Sequence, residues 1–141
     1  MIILDTDCLR LLDQERYLES SKLRRKLEQF PPDEICTTII TFEEQMRGWL
    51  SYIAASKTLD QQIFAYQMLH GFLESYRNSA VIDFDEAAAK VFRDLKSQKV
   101  RIGIMDLKIA SITISRDALL VSRNLRDFEL VPNLIVKDWA K

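Results

Sequence analysis

The feature that most constrains the fold is an apolar run near the start of the chain that ends in two carboxylates. Ile2, Ile3 and Leu4 have no polar residue among them, and Asp5 and Asp7 follow at once. An apolar run without polar alternation is typical of a strand that is buried on both faces, as in a parallel sheet. Such sheets build their sites in the crevice beyond the carboxyl ends of the strands. The two carboxylates are therefore expected to bind a metal, act as nucleophiles or cap the next helix.

Composition limits the classes of protein that the chain can belong to. Its 141 residues favour a single domain over residues 1–141, and a formal net charge of -1 gives no overall attraction to nucleic acid. No apolar run is long enough to span a bilayer, and no basic stretch precedes the first strand as in a signal peptide, so we expect a cytoplasmic protein that does not bind a membrane. Cys8 and Cys36 lie outside metal-ligand spacings and are expected to be reduced core residues.

The rarity of glycine and histidine excludes several kinds of site. Gly48, Gly71 and Gly103 are the only glycines, and they are too far apart for a Walker loop or a dinucleotide-binding fingerprint. His70 is the only histidine and lies within a helical pattern, which disfavours a zinc site and a Ser-His-Asp or Cys-His site. Any chemistry is therefore expected to come from carboxylates.

The rest of the sequence predicts strands that alternate with helices. After the first strand, strands are expected at residues 34–39, 80–84, 119–122 and 134–136. Helices are expected at residues 20–30, 59–76, 86–98 and 106–116, with others capped by Asp7 and Thr41. The helices on either side of residues 56–58 should form a helical hairpin. The alternation implies an α/β fold with helices on both faces of a central parallel sheet of four to five strands.

Three features of this plan fit two interpretations each. The basic run at residues 22–26 fits either a solvated helix face or a contact with RNA or a partner. The many aromatic residues of the hairpin fit either core packing or a subunit or partner surface. Glu44 fits a capping box with Thr41, and it also fits a functional role because its helix begins at the carboxyl edge of a strand.

Acidic and amide side chains follow several strands at this one edge. Asp5 follows the first strand, Glu44 lies one turn into the helix after the second, and Asp106 opens a helix close to the edge. Asn124 and Asp127 follow the fourth strand. Carboxylates that repel one another disfavour such a convergence unless a cation lies between them.

Four segments, taken in order, resemble the PIN-domain ribonucleases and, among these, the VapC toxins. They are residues 2–7 (IILDTD), 41–48 (TFEEQMRG), 106–110 (DLKIA) and 122–128 (SRNLRDF). The glycine that ends the second segment selects Glu44 as its functional acid. The resemblance runs along the whole chain and implies a three-layer α/β/α PIN-like fold.

The resemblance implies a Mg²⁺-dependent endoribonuclease whose catalytic residues are Asp5, Glu44 and Asp106. Asp5 and Asp106 would bind the metal directly, and Glu44 would complete the site or orient the attacking water. Either Asn124 or Asp127 would take the fourth position, because Asn124 stands where many PIN domains have a further Asp. Mg²⁺ prefers such oxygen ligands, and Mn²⁺ accepts similar ones.

Side chains beside these motifs are expected to contact the RNA substrate. They are Thr6, Arg47, Lys108, Ser122, Arg123 and Arg126. The four cations among them fit surface charges equally well. Asp7 stands where the family usually has Asn and is expected to act as a helix cap or to support the site from behind the ligands.

The resemblance also implies partners. A VapC-like toxin pairs with a cognate VapB-like antitoxin and commonly forms a homodimer. The aromatic hairpin at residues 41–76 is the expected surface for one of these contacts.

Three other functions stay open at this point. A haloacid-dehalogenase-like phosphatase would use Asp5 as its nucleophile, although the Gly-Thr and the late Gly-Asp of that class are missing. A response-regulator receiver would be phosphorylated at Asp83 or Asp85 and would leave Glu44 and Asp106 without a role. A catalytically inactive PIN domain would act only as a binding module.

Overall fold

The computed structural model describes residues 1–14 and 16–141, and every strand pairing in it is parallel. The strands are β1 (Ile2–Leu4), β2 (Ile35–Thr38), β3 (Val81–Ile82), β4 (Leu119–Val121) and β5 (Ile135–Lys137). Their order across the sheet is β3-β2-β1-β4-β5, so β1 is central. The predicted parallel sheet is therefore confirmed, at the upper end of the expected number of strands.

Helices connect the strands and cover the sheet. They are α1 (Thr6–Leu12), α2 (Leu18–Leu27), α3 (Ile39–Ala55), α4 (Leu59–Arg77), α5 (Glu86–Ser97), α6 (Ile104–Ser115) and α7 (Leu125–Phe128), with a 3-10 turn at Pro32–Glu34. In the part of the chain that the structure describes, no helix combines the length and the apolarity that a bilayer crossing requires.

The strand order places a crevice beside β1. From β1 the chain moves outward to β2 and β3, and it then returns to the other side of β1 to form β4 and β5. Connections that leave a parallel sheet in opposite directions open a crevice at the carboxyl ends of the two strands between them, here β1 and β4. Asp5 follows β1 and Ser122 follows β4, so both lie at this switch point.

The three layers follow from the alternation of side chains along β1. Ile3 is fully buried in a cluster that includes Leu107 and Ile112 of α6. Ile2 and Leu4 are buried in a second cluster with residues of α1 and α2. Because successive side chains of a strand point to opposite faces, β1 supports both clusters. This arrangement confirms the three-layer α/β/α fold and explains why its sequence has no polar break.

Two predicted helix caps are wrong by two or three residues. Asp5, not Asp7, caps α1, because its side chain accepts a hydrogen bond from the backbone N–H of Cys8 at 2.8 Å. Thr38, not Thr41, caps α3 and accepts from the backbone N–H of Thr41 at 3.1 Å. α3 begins directly after β2, and only Asp5 separates α1 from β1, so the residue just before each helix takes the cap.

The early start of α3 changes the interpretation of its first two turns. Ile39 and Ile40 look like strand residues in the sequence, but both are helical and Ile40 is buried in the core. Burial of Ile40 against the sheet outweighs the modest strand preference of a β-branched residue. Glu44 then lies in the second turn of the helix, and its interpretation as a capping-box partner of Thr41 is wrong.

The other helix boundaries differ less from the predicted ones. The helix expected at residues 20–30 is observed at Leu18–Leu27, and Asp106 is the third residue of α6 rather than its first. Asp85 caps α5 as predicted, since it accepts from the backbone N–H of Ala88 at 3.0 Å. Cys8 and Cys36 are free and buried, as expected.

Some aromatic residues of the α3–α4 hairpin are half-buried and pack on one another, and others are exposed. Phe42 stacks on Phe72 at 5.4 Å between ring centroids, and Tyr76 meets both rings. In contrast, Phe64 and Tyr66 are 51% and 57% exposed. Part of the aromatic set therefore packs within the hairpin, and its use as a subunit or partner surface stays a prediction.

Candidate functional site

Asp5 lies at the carboxyl end of the central strand, in a closely packed environment. It is only 5% exposed, and its backbone N–H continues the sheet by donating to the carbonyl of Val121. Its Oδ1 accepts from the Cys8 N–H at 2.8 Å, and its Oδ2 accepts from the Ser122 hydroxyl at 2.5 Å. Burial raises the pKa of Asp5 above its ordinary value, although both hydrogen bonds act in the opposite direction. The fold thus holds a buried carboxylate in one orientation.

Ser122 links Asp5 to the segment that follows β4. Its hydroxyl oxygen also accepts a hydrogen bond from the backbone N–H of Asn124 at 2.9 Å. The side-chain amide of Asn124 donates from Nδ2 to Asp127 Oδ2 at 3.1 Å. The two residues proposed for the fourth ligand position are therefore hydrogen-bonded to each other, and both belong to one network with Asp5.

Glu44 is held beside this network by a threonine. The Thr6 hydroxyl donates to Glu44 Oε1 at 2.8 Å and lies 3.3 Å from the hydroxyl of Thr41. The Thr41 hydroxyl also lies 3.3 Å from that of Thr38. The structure thus gives Thr6, expected to contact substrate, a role in orienting Glu44. Thr38 and Thr41 were not predicted as site residues; their only sequence signal is the threonine enrichment around the end of β2.

The pKa of Asp106 reflects the convergence of the acids at this edge of the sheet. This pKa is raised from 3.8 to about 6, mainly by burial and then, in decreasing order, by the charges of Glu44, Asp5 and Asp127. Four carboxylates from four parts of the chain therefore act on one another at the switch point. Within residues 1–14 and 16–141, however, no three His, Cys, Asp or Glu side chains are arranged as they stand to hold a metal ion.

The donor set at this edge nevertheless fits a hard divalent cation. All of its candidate ligands are carboxylate or amide oxygens, which Mg²⁺ and Mn²⁺ accept. The like charges that raise the pKa of Asp106 are the repulsion that such a cation would remove. Because Mg²⁺ keeps several of its waters, it does not need a cage of three direct carboxylates.

Arg123 is held by two carboxylates. It donates from Nε and Nη2 to both oxygens of Asp7, at 2.7 and 2.8 Å, and from Nη1 to Glu19 at 2.7 Å. These bonds raise the pKa of Arg123 and lower that of Asp7. Asp7 therefore pairs with Arg123 instead of capping α1. The three side chains border a cavity of about 550 Å³ that Asn124 and Lys141 also line.

The other cations expected to contact RNA lie on the surface around the site. Arg47 is exposed and pairs with Glu43, one helical turn away at 2.5 Å. Lys108 Nζ lies 5.9 Å from the centroid of the Phe84 ring, and Arg126 is exposed in α7. Their contact with substrate stays a prediction.

Comparison with known proteins gives relatives of one kind. No protein-family model matches the sequence. Ribonuclease VapC2 of Rickettsia felis is 34% identical over 65 residues, which cover 43% of this chain and 48% of that protein, so the match spans about half of its length. The tRNA(fMet)-specific endonuclease VapC of Salmonella typhimurium is 28% identical over 110 residues, which cover 75% of this chain and 76% of that protein.

A solved structure extends the similarity over the full chain. VapBC-1 from nontypeable Haemophilus influenzae contains a chain with the same fold, with a TM-score of 0.72 and 26% identity over 100% of both chains. Sequence and fold thus agree with the four motifs: the chain is similar in sequence to VapC proteins and has a PIN-like fold.

Proposed function

We propose that this chain is a metal-dependent endoribonuclease and the toxin of a VapBC-type toxin–antitoxin pair. The observation that carries the proposal is the convergence of Asp5, Glu44, Asp106 and Asp127 at one sheet edge, where burial and the charges of the other three acids raise the pKa of Asp106 to about 6. Relatives of the chain are named as a ribonuclease and a tRNA-specific endonuclease. The domain assignment of residues 1–141 and the RNA substrate are part of this proposal.

Asp5 and Asp106 would hold Mg²⁺ directly, Glu44 would complete the site or orient the attacking water, and Asn124 or Asp127 would take the fourth position. The cation would offset the repulsion between these acids and an RNA phosphate, and it would lower the pKa of a bound water so that hydroxide is available to attack phosphorus. Mn²⁺ would serve in its place because it accepts the same oxygen ligands.

The chain's own side chains orient these acids. Hydrogen bonds from Ser122 and from the Cys8 N–H hold the two oxygens of Asp5, and the hydroxyl of Thr6 holds Glu44. Preorganised acids lose little conformational entropy when a ligand binds. Lys108 and Arg126, on elements that carry site residues, are the cations proposed to meet the RNA backbone.

A VapB-like antitoxin is the proposed partner, since VapBC-1 is among the structures that share the fold. The α3–α4 hairpin is the proposed surface for this protein or for a second copy of the chain. A groove of about 1190 Å³ runs along it and is lined by Trp49, Tyr52, Phe72 and Tyr76 among others. Aromatic side chains in an apolar groove are typical of protein interfaces.

The test is cleavage of a single-stranded RNA with Mg²⁺ or Mn²⁺, followed by addition of EDTA. We expect cleavage by the wild type, loss of cleavage in EDTA, and at least about a 100-fold loss in Asp106→Asn. Asp5→Asn should lose activity while folding, because Asn also caps helices well. Asp83→Asn, an exposed acid outside the site, is the matched control.

Two outcomes would reject the proposal. Normal cleavage by both Asp5→Asn and Asp106→Asn would show that the site is elsewhere. Turnover of small phosphate esters without RNA cleavage would favour the phosphatase alternative, in which Asp5 is a nucleophile. A chain that binds RNA or antitoxin but cleaves nothing would be the inactive binding module.

A further inference from the structure

Arg123 lies between two residues of the candidate site, but its own side chain binds elsewhere. Its neighbours Ser122 and Asn124 belong to the hydrogen-bond network of Asp5. Its guanidinium instead contacts Asp7 of α1 and Glu19 of α2. One side chain therefore ties the segment that follows β4 to two helices.

The geometry of this tie is more restrictive than that of an ordinary surface ion pair. Arg123 donates to both oxygens of Asp7, at 2.7 and 2.8 Å, and such bidentate pairing restricts the orientation of the guanidinium. The side chains of Arg123, Asp7 and Glu19 are 33%, 45% and 57% exposed. Ion pairs as exposed as these contribute little to overall stability. The contacts of Arg123 with Asp7 and Glu19 are therefore expected to fix the position of the segment after β4 rather than to raise the free energy of unfolding.

Two neighbouring side-chain links join the turn after β1 to the turn after β4. Asp5 and Asp7 lie two residues apart where β1 passes into α1, and they bind Ser122 and Arg123, which are consecutive residues after β4. The inner link is the hydrogen bond from the Ser122 hydroxyl to the buried carboxylate of Asp5. The outer link is the bidentate pair of Arg123 and Asp7. With the outer link removed, Ser122 would keep its 2.5 Å side-chain bond to Asp5 and the 3.0 Å bond from its backbone N–H to the Lys137 carbonyl, whereas Arg123 would lose its contact with α1.

The charges support the same assignment. The carboxylate of Asp7 lies two residues along the chain from buried Asp5. An uncompensated Asp7 would add a further negative charge beside acids that already repel one another. The guanidinium of Arg123 compensates that charge.

We propose that Arg123 is a positioning residue, and that the clamp formed by Arg123, Asp7 and Glu19 holds the segment after β4 against α1 so that Ser122 and Asn124 stay in place at Asp5. The consequence for catalysis rests on the proposed ribonuclease function, whereas the positioning itself does not. A direct contact between Arg123 and an RNA phosphate is the competing role.

The first test needs no activity. The backbone N–H of Asn124 donates to Ser122, so its hydrogen-exchange rate, measured by NMR in EDTA, reports whether this segment is held. Arg123→Gln should raise that rate about tenfold with little change in the melting temperature. Arg116→Gln is the matched control, because it breaks a comparably exposed pair with Asp85 outside the site and should leave the rate unchanged.

A double-mutant cycle separates the clamp from independent effects. Asp7→Asn combined with Arg123→Gln should exchange no faster than Arg123→Gln alone, because one side of the pair is already broken. Additive effects, or an unchanged rate in Arg123→Gln, would overturn the proposal. Should Arg123→Gln fail to fold, Arg123→Lys serves the same purpose, since it keeps the charge but cannot bind both oxygens of Asp7 in the same plane.

The second test compares kinetic parameters for RNA cleavage. A positioning role predicts about a tenfold lower kcat in Arg123→Gln with an unchanged KM. A phosphate contact predicts a higher KM, an unchanged kcat and a weaker dependence of binding on salt, and that result would overturn the positioning role. If the wild type cleaves no RNA, the ribonuclease proposal fails, while the exchange measurements still decide whether the clamp exists.

Discussion

Asp106→Asn should make the metal-free protein more stable while it removes activity. The pKa of Asp106 is raised from 3.8 to about 6, first by burial and then by the charges of Glu44, Asp5 and Asp127. Folding at neutral pH therefore places an ionised carboxylate where the folded state disfavours its charge. Asparagine has nearly the same shape and no charge, so it avoids this cost.

The size of the gain follows from the shift in pKa. A rise of about two in pKa corresponds to about 3 kcal/mol, and screening of the partly exposed Asp106 by water reduces this to about 1 kcal/mol. Loss of a negative charge in the first turn of α6 opposes the gain by a few tenths of a kcal/mol. For a chain of this length, about 1 kcal/mol corresponds to a rise of about 3 °C in melting temperature.

The dependence on pH gives this prediction its sharpest test. The folded state binds the Asp106 proton more tightly than the unfolded state, so the penalty is absent below about pH 4 and grows as the pH rises through about 6. Melting curves in EDTA should therefore show the stabilisation by Asp106→Asn at pH 7.5 and lose it towards pH 4. The exposed Asp83→Asn should show no such trend. A mutant that is no more stable than the wild type at pH 7.5 would refute the argument.

Three further substitutions test individual hydrogen bonds of the structure. Ser122→Ala removes the hydroxyl that donates to buried Asp5 and should lower the free energy of unfolding by about 1–3 kcal/mol in urea titrations; unchanged stability would contradict the network. Thr6→Val removes the hydrogen bond to Glu44 and should lower the kcat of RNA cleavage about tenfold. A normal kcat would show that Glu44 needs no orientation. Tyr76→Phe breaks the bond that joins α4 to α3 and should cost about 1 kcal/mol by the same titration.

The sheet could be predicted because its signals are local. Apolar runs mark β1 and β4, and the intervening periodic segments mark helices, so the parallel arrangement followed from alternation alone. The junctions between strand and helix could not be predicted in the same way. Ile39 and Ile40 have strand preferences, and only the burial of Ile40 in the core and the hydroxyl of Thr38 decide that a helix has already begun.

The acids of the site could be predicted individually, but the bonds between them could not. Asp5 and Asp127 follow strands, Glu44 lies in the helix after β2, and the carboxyl ends of parallel strands share an edge. Asp106 follows no strand and was predicted from its place near the start of a helix close to that edge. The bond from Thr6 to Glu44 joins residues 38 apart, and the pairing of Arg123 with Asp7 joins residues 116 apart. Bonds over such separations depend on strand order and register, which periodicity alone does not supply.

Asp5 shows why a single side chain at this turn must serve two purposes. The strand ends at Leu4 and the helix begins at Thr6, so Asp5 is the only residue between them. Its Oδ1 caps α1, and its Oδ2 is held by Ser122. A residue that only bound a ligand would leave the first turn of α1 without its cap, and a residue that only capped would not need Ser122 on its second oxygen. The shortness of the turn therefore joins folding to the proposed chemistry, so Asp5→Ala should destabilise the fold by about 1 kcal/mol more than Asp5→Asn, which keeps the cap.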